Sequence, residues 1–198
     1  MLDSMSTKKD TRSHILETTW QLLEAHPGKS LSMSEIAKTS GVSRQALYLH
    51  FSSRADLLIA TTRYVDEVKQ LDQQLDTVMQ CQNGTEMLKT FVETWGNYIP
   101  QVFNVSKALM VTKDHDEAAA EAWREIMGCL HALCDEITKR LSNESRLSTN
   151  WSQQSASDFL YTLVSIYNWE QLTYECNWTQ EQYLLHLQHA VKKGLLTK

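Results

Sequence analysis

Residues 30–58 read SLSMSEIAKTSGVSRQALYLHFSSRADLL, and this stretch decides the fold prediction. It places two short helical patterns on either side of Gly41, and the second of them carries polar side chains along barely two turns. A helix of that length is not stable alone in water, so buried neighbours have to hold it in place. Its polar side chains are then available to contact another molecule.

Helix boundaries in this stretch follow from its capping residues. Ser32 and Glu35 have the spacing of a capping box, which predicts a helix start. Gly41 follows the last turn, where a positive φ is favoured, and Ser43 caps the next helix. The positions that helical spacing turns inward are Met33, Ile36, Ala37, Ala46, Leu47 and Phe51. The pattern therefore predicts a tight helix-turn-helix corner.

The rest of the chain also reads as helix. A first helix should begin near Asp10 or Thr11 and end at 26–28, and Ser53 with Asp56 forms a second capping box that opens a long helix through about Thr77. Further helices are predicted at 85–98, 103–113, 116–141, 151–175 and 179–195. Only two prolines and six glycines argue against sandwiches, barrels and doubly wound sheets. We expect an all-α protein.

Neither a membrane span nor a secretion signal is visible. The longest charge-free apolar stretch, 159–169, is too short to cross a bilayer, and the first ten residues lack an apolar core. We therefore expect a cytoplasmic protein. The four cysteines (Cys81, Cys129, Cys134 and Cys176) show no CxxC pairing, which favours buried reduced thiols over a redox switch.

The net charge of -5 is distributed unevenly along the chain. The first 60 residues hold seven Lys or Arg against six Asp or Glu, a net of +1, and the remaining 138 hold twelve against eighteen, a net of -6. The acidity belongs to the larger part. The overall charge is therefore no argument against nucleic-acid binding by the first part.

The short polar helix suits the major groove of DNA. Arg44 and Gln45 are the candidates for reading base edges, since Arg pairs with guanine and Gln with adenine in bidentate fashion. The side chains suited to phosphate oxygens are Tyr48, His50, Arg54 and the hydroxyls of Ser32, Ser43 and Ser53. The alternative is an ordinary three-helix corner with a solvated polar face.

The run IAKTSGVSRQALYLHFSSRADLL resembles the N-terminal module of the TetR family of bacterial transcription regulators. The matching positions are Ile36, Ala37, Gly41, Val42, Ser43, Leu47, Tyr48, His50, Phe51, Ser53, Arg54 and Leu57. Gln45 and Ala46 depart from the family's frequent Gly and Thr, so the usual phosphate-contacting hydroxyl is missing at Ala46. The Ala46 methyl could touch a thymine methyl or be packed, and Leu49 could do the same, although a partly buried Leu49 is the favoured reading.

This resemblance implies a DNA-binding domain over 1–60 and a helical effector-binding and dimerisation domain over 61–198. The dimer-interface candidates form two apolar stripes: Phe159, Leu160, Leu163, Val164 and Tyr167, then Tyr183, Leu184, Leu187 and Val191. The candidates for a ligand pocket are Trp95, Tyr98, Phe103, Met110, Trp123 and Met127, which could equally be core.

The leading hypothesis is a homodimeric, ligand-responsive repressor that binds a double-stranded inverted-repeat operator, with a small apolar or amphipathic effector. The rivals are an enzyme with an incidental helix-turn-helix and a helical adaptor that does not bind DNA. We expect no enzyme, cofactor or metal, because no phosphate loop or activated nucleophile is present. His186 and His189 lack a third ligand, and Cys129, His131 and Cys134 do not share a helix face.

Overall fold

A computed structural model describes the backbone of residues 2–197 and the side chains of residues 10–197. Apart from one antiparallel bridge between Leu147 and Leu196, the regular structure in this range is helical, which confirms the all-α prediction. The chain divides into two compact units. The first unit extends to Lys69 and resumes over Val102–Ile126, and the second comprises Gln70–Gln101 and Met127–Lys198.

The first unit contains the helix-turn-helix. Its helices are α1 (Leu2–Ala25), α2 (Met33–Thr39), α3 (Arg44–His50) and α4 (Arg54–Val68), together with parts of α6 and α7. Helix α1 begins before the Asp10–Thr11 start predicted for it, whereas α2 and α3 occupy the predicted positions. The first unit therefore contains the helix-turn-helix that was predicted from residues 30–58.

Buried apolar side chains hold the corner between α2 and α3. Ile36 and Leu47 have no exposed surface, and Phe51 is 1% exposed. Gly41 adopts a φ of +67°, which L side chains rarely take, and the Val42 amide donates to the Ala37 carbonyl at 3.0 Å. The short α3 is thus fixed by packing and by its turn rather than by its own helix propensity.

The second unit is built from α5 (Leu71–Met79), α8 (Gln153–Leu163), α9 (Ile166–Glu170) with a π-helical turn over Gln171–Glu175, and α10 (Gln180–Leu195). Two long helices, α6 (Gly84–Thr112) and α7 (Glu117–Asn143), contribute to both units. The capping box predicted at Thr179 and Gln182 is present at the start of α10. No helix within residues 2–197 has the length and apolar character needed to span a membrane.

Three predicted helix boundaries are wrong. The helix expected to run through Thr77 ends at Val68, and Gln70, with a φ of +58°, separates α4 from α5. The gap expected near residues 99–102 is absent, because Pro100 lies inside α6 with its ring exposed while Tyr98 and Ile99 are buried. The helix expected over 151–175 is interrupted where Ser165 caps α9.

The predicted domain limits at residues 60 and 61 do not coincide with the boundary between the units. The first unit extends past residue 60 and takes in the end of α6 and the start of α7. The functional division into a DNA-binding part and an effector part is a separate matter and stays a prediction.

The cysteine prediction is confirmed for one residue only. Cys134 is buried, and that burial raises the pKa of its thiol to about 12. Cys129 and Cys176 are exposed and Cys81 is half-buried, so the prediction of four buried thiols is wrong. All four cysteines are unpaired thiols.

Candidate nucleic-acid interface

Helix α3 has one buried side and one exposed side. Leu47 anchors the helix in the core, and Arg44, Gln45, Tyr48 and Leu49 are exposed on the other side. Tyr48 has 44% of its surface exposed and Leu49 has 74%. Side chains this exposed contribute little to the core and are accessible to another molecule.

The prediction that Leu49 is partly buried is wrong. It lies two residues after Leu47, a rotation of roughly 200° around the helix, and therefore points away from the core. Ala46 and His50 are half-buried at the edges of the exposed face. The apolar contact with thymine considered for Leu49 is thus open to it sterically.

Arg44 and Tyr48 form a pair on the exposed face. The guanidinium of Arg44 lies over the Tyr48 ring, 5.7 Å from its centroid, which is the geometry of a cation–π contact. The two residues are one helical turn apart, and the contact restricts the rotamers of both. Ser43 caps this turn by accepting the Ala46 amide at 3.0 Å.

The three serine hydroxyls differ in whether their hydrogen atom is still available for a bond to a phosphate oxygen. Ser32 donates to a Glu35 carboxylate oxygen at 2.8 Å and accepts the Glu35 amide at 3.2 Å, so its hydroxyl hydrogen is already engaged and its role as a phosphate donor stays a prediction. Ser43 and Ser53 accept backbone amides at 3.0 Å, and no acceptor for their hydroxyl hydrogens lies among residues 10–197. These two hydroxyls keep a hydrogen for a phosphate oxygen.

The capping box predicted at Ser53 and Asp56 is only half formed. The Ser53 hydroxyl accepts the Asp56 amide, as predicted. The Asp56 carboxylate, however, accepts from Ser52, both from its amide at 2.8 Å and from its hydroxyl at 3.0 Å. The return bond reaches one residue further back because Ser52 supplies two donors at one carboxylate oxygen.

The capping box at the start of α2 is complete and reinforced by charge. Glu35 accepts the Ser32 amide at 2.9 Å, and the Lys29 ammonium donates to the other carboxylate oxygen at 2.6 Å. These bonds, first that from Lys29 and then those from Ser32, lower the pKa of Glu35 to about 2. Glu35 is therefore ionised at neutral pH.

Arg54 is not oriented toward solvent as a phosphate contact would be. Its guanidinium forms an ion pair with Asp116 and also donates to the Leu31 carbonyl at 3.2 Å. The Arg54 side chain is 28% exposed and that of Asp116 is 3% exposed. The prediction that Arg54 binds phosphate overlooked this partner, which is 62 residues away in the sequence.

Asp116 is a residue that the sequence reasoning missed. One of its carboxylate oxygens accepts the amides of Ala118 and Ala119 at 3.1 and 3.2 Å, so the residue caps α7. Burial alone raises the pKa of Asp116, but hydrogen bonds from Ser30 and from the two amides, with the charge of Arg54, bring the net pKa below its usual value. An Asp just before a helix was the available signal.

Of the nine predicted interface residues, five lie in the core of the second unit. Leu160, Val164, Tyr183, Leu187 and Val191 are buried within one chain and expose little surface to a second one. The remaining four are half-buried or exposed: Phe159, Leu163, Tyr167 and Leu184. These four are the more accessible candidates, and the role of all nine residues in a dimer interface stays a prediction.

The predicted pocket residues lie on α6 and α7. Trp95, Tyr98 and Met127 belong to the second unit, whereas Phe103, Met110 and Trp123 belong to the first. All are buried except Trp123, which is half-buried, and the Trp95 indole donates to the Val164 carbonyl at 2.8 Å. A separate groove of about 530 Å³ between α6 and α10 is lined by none of the six. Their role as a pocket stays a prediction.

The histidines show no sign of a metal centre. His186 packs against the Trp178 ring at 5.0 Å, and His131 accepts or donates a hydrogen bond at 3.0 Å with Asp158. Among the residues that the structure describes, no three metal-ligating side chains are grouped together.

Comparison with known proteins identifies the helix-turn-helix. Residues 15–61 match the model of the bacterial regulatory proteins of the tetR family. The nucleoid occlusion factor SlmA of Shewanella baltica is 32% identical over 96 residues, which are 46% of this chain and 49% of that protein. The chain thus spans about half the length of the curated relatives it matches.

Solved structures share the fold over nearly the whole chain. NalD of Pseudomonas aeruginosa, the secondary repressor of the MexAB-OprM multidrug efflux pump, has a TM-score of 0.71 at 21% identity, covering 98% of this chain and 99% of its own. Reduced NemR of E. coli has a TM-score of 0.67 at 19% identity, covering 94% and 98%. At these identities the likeness concerns the fold alone.

Proposed function

We propose that this protein regulates transcription by binding a specific DNA sequence. The proposal starts from the match of residues 15–61 to the TetR family of bacterial regulatory proteins. The observation that carries the proposal is the exposed face of α3, where Arg44, Gln45, Tyr48 and Leu49 project from a helix that the buried Leu47 holds in place. A rigid helix with such a face fits the major groove.

Each exposed side chain has a proposed role. Arg44 donates to O6 and N7 of guanine, and Gln45 pairs with N6 and N7 of adenine. Tyr48 and the hydroxyls of Ser43 and Ser53 donate to phosphate oxygens and so fix the register of α3. Arg54 is left out of this set, because its guanidinium is engaged by Asp116.

The proposed active species is a homodimer. A dimer presents two copies of α3, and its operator then has two-fold symmetry with half-sites roughly 34 to 36 Å apart. The apolar side chains that remain accessible on α8, α9 and α10 support a second copy as the partner of this surface. They are Phe159, Leu163, Tyr167 and Leu184.

The proposal extends to repression controlled by a small apolar or amphipathic effector. Support comes from the aromatic and Met side chains on α6 and α7, which are of the types that line apolar pockets. Such an effector acts only through a difference in its affinity for the DNA-competent and DNA-incompetent conformations. No chemical step is required for release of the DNA.

The similarity to nucleoid occlusion factors favours a second candidate function, in which the protein acts in nucleoid occlusion. A factor that acts on the nucleoid should bind at sites spread over the chromosome, whereas a transcription regulator should bind beside its promoters. Immunoprecipitation of the protein with chromosomal DNA separates the two. Many sites spread over the chromosome favour the second candidate, and a few sites beside promoters favour the first.

Variants of α3 test the base-reading assignments. We expect Arg44→Ala and Gln45→Ala each to lose preference at one base pair per half-site, by about 1–3 kcal/mol, because each removes a bidentate contact. Tyr48→Phe should weaken binding to all sequences alike, since it removes a phosphate contact. Selection from a random duplex library measures both effects. Unchanged base preference in both Arg44→Ala and Gln45→Ala would contradict the assignment of these two residues as base-reading residues.

A further inference from the structure

We infer that Arg54 and Asp116 are positioning residues for DNA binding, which hold the helix-turn-helix against the first turn of α7 without contacting DNA. The inference rests on the proposed function and adds the internal contact on which the placement of α3 depends. It replaces the phosphate contact that was predicted for Arg54 from the sequence.

Three segments of the first unit meet at this ion pair. Arg54 is the first residue of α4, and its guanidinium bonds both Asp116 and the carbonyl of Leu31, the residue before the cap of α2. Asp116 caps α7 and is also hydrogen-bonded by Ser30. The approach to α2, the start of α4 and the start of α7 are therefore joined through two side chains.

Burial makes this pair energetically different from a surface ion pair. With 3% of its side chain exposed, Asp116 would be left as a buried, unpaired carboxylate if Arg54 moved away. Removal of one partner of such a pair is strongly destabilising because water cannot replace the lost partner. The first unit is thus held in the arrangement in which Arg54 and Asp116 are in contact.

A second ion pair between α4 and α7 supplies a matched control. Arg63 donates to Glu125 at 2.7 Å, and the two side chains are 69% and 46% exposed. An exposed pair of this kind is screened by water and contributes little to stability. It joins the same two helices as Arg54 and Asp116, so it separates the effect of burial from that of merely linking α4 to α7.

The two roles of Arg54 predict opposite results for Asp116. If Arg54 bound phosphate, loss of the Asp116 charge would release the guanidinium and remove a negative charge, and DNA binding would strengthen. If the pair positions the helix-turn-helix, loss of either partner disturbs the same junction. The positioning role therefore predicts weaker binding for both single variants and strong non-additivity between them.

The test measures affinity of the full chain for its selected operator at several salt concentrations. We expect Arg54→Gln and Asp116→Asn each to weaken binding roughly tenfold, and the double variant to be no weaker than either, because one junction is lost in all three. The slope of log Kd against log salt should stay at the wild-type value, since no phosphate contact is removed. Glu125→Gln should bind like the wild type.

Other results overturn the inference. A salt slope reduced by about one in Arg54→Gln shows a lost phosphate contact, and tighter binding by Asp116→Asn shows that Arg54 was being withheld from DNA. Thermal melting of each variant establishes that it is folded, and Ser30→Ala gives a milder loss at the same carboxylate, expected to weaken binding in the same direction without changing the slope. A wild type that selects no sequence overturns the proposed function, and this inference with it.

Discussion

Leu49 is the residue of α3 for which the proposed contact with DNA and a contribution to the fold are most clearly separable. An aliphatic side chain with 74% of its surface exposed contributes almost nothing to the core. Its neighbour Leu47, with no exposed surface, is the anchor of the same helix. Leu47 thus stabilises the helix, and Leu49, two residues later, is accessible for the proposed contact with DNA.

We therefore predict different outcomes for the two leucines when each is replaced by alanine. Leu49→Ala should change the free energy of unfolding by less than about 0.5 kcal/mol, as surface substitutions do, but should relax a preference for thymine at one position of the half-site. Leu47→Ala should destabilise the protein by about 2–5 kcal/mol. Chemical denaturation and library selection provide the two readouts. A Leu49→Ala protein with unaltered base preference contradicts the prediction.

At the same scale, helical spacing was sufficient to predict which side of α3 is exposed. Arg44, Gln45 and Tyr48 are exposed and Leu47 is buried, as the period of the helix requires. The partner of Arg54 could not be predicted, because Asp116 is 62 residues distant and only the packed fold brings the two together. Local rules place side chains on faces, but they do not pair distant charges.

The capping boxes link residue chemistry to the behaviour of whole helices. At the start of α2, Glu35 has a folded pKa of about 2 against an ordinary value of 4.5. A depressed carboxyl pKa contributes stability that is present above the unfolded value and is lost as pH falls toward the folded value. The contribution of Glu35 should therefore be complete above pH 4.5 and disappear between there and pH 2.

Glu35→Ala tests this pH dependence. The variant should be less stable than the wild type at pH 7, and the difference should shrink as pH falls through the range below 4.5. Urea denaturation at a series of pH values measures the difference. A difference that is the same at pH 2.5 and at pH 7 would show that Glu35 acts through something other than its charge.

Among the helices, those with complete local signals were predicted best. Helices α2, α3 and α10 begin with caps that the sequence displays, and their bounds agree with prediction. A gap between the helices predicted at 85–98 and 103–113 is absent, because α6 continues past Pro100 and buried apolar side chains on both sides of the proline hold the helix together. The break at Gln70 depends on a left-handed backbone that a glutamine does not announce.

In the whole molecule, the charge distribution bears on the proposed DNA binding, and the packing of apolar side chains bears on the proposed dimer. The net +1 of the first 60 residues is small, so we expect the proposed affinity for DNA to depend on the placement of a few donors on α3 more than on a strongly basic surface. The net -6 of the remainder belongs to the part without the helix-turn-helix. The dimer interface was the hardest feature to predict, since an apolar stripe does not distinguish the core of one chain from contact with a second.

We propose above all that this chain binds a two-fold symmetric DNA sequence as a dimer. Selection of bound sequences from a random duplex library at a stated salt concentration, followed by mass measurement of the complex, tests it most directly. We expect an inverted repeat with half-sites about one DNA turn apart, bound by two or four chains. Folded wild-type protein that selects no sequence, or that binds a site without symmetry as a single chain, would contradict it.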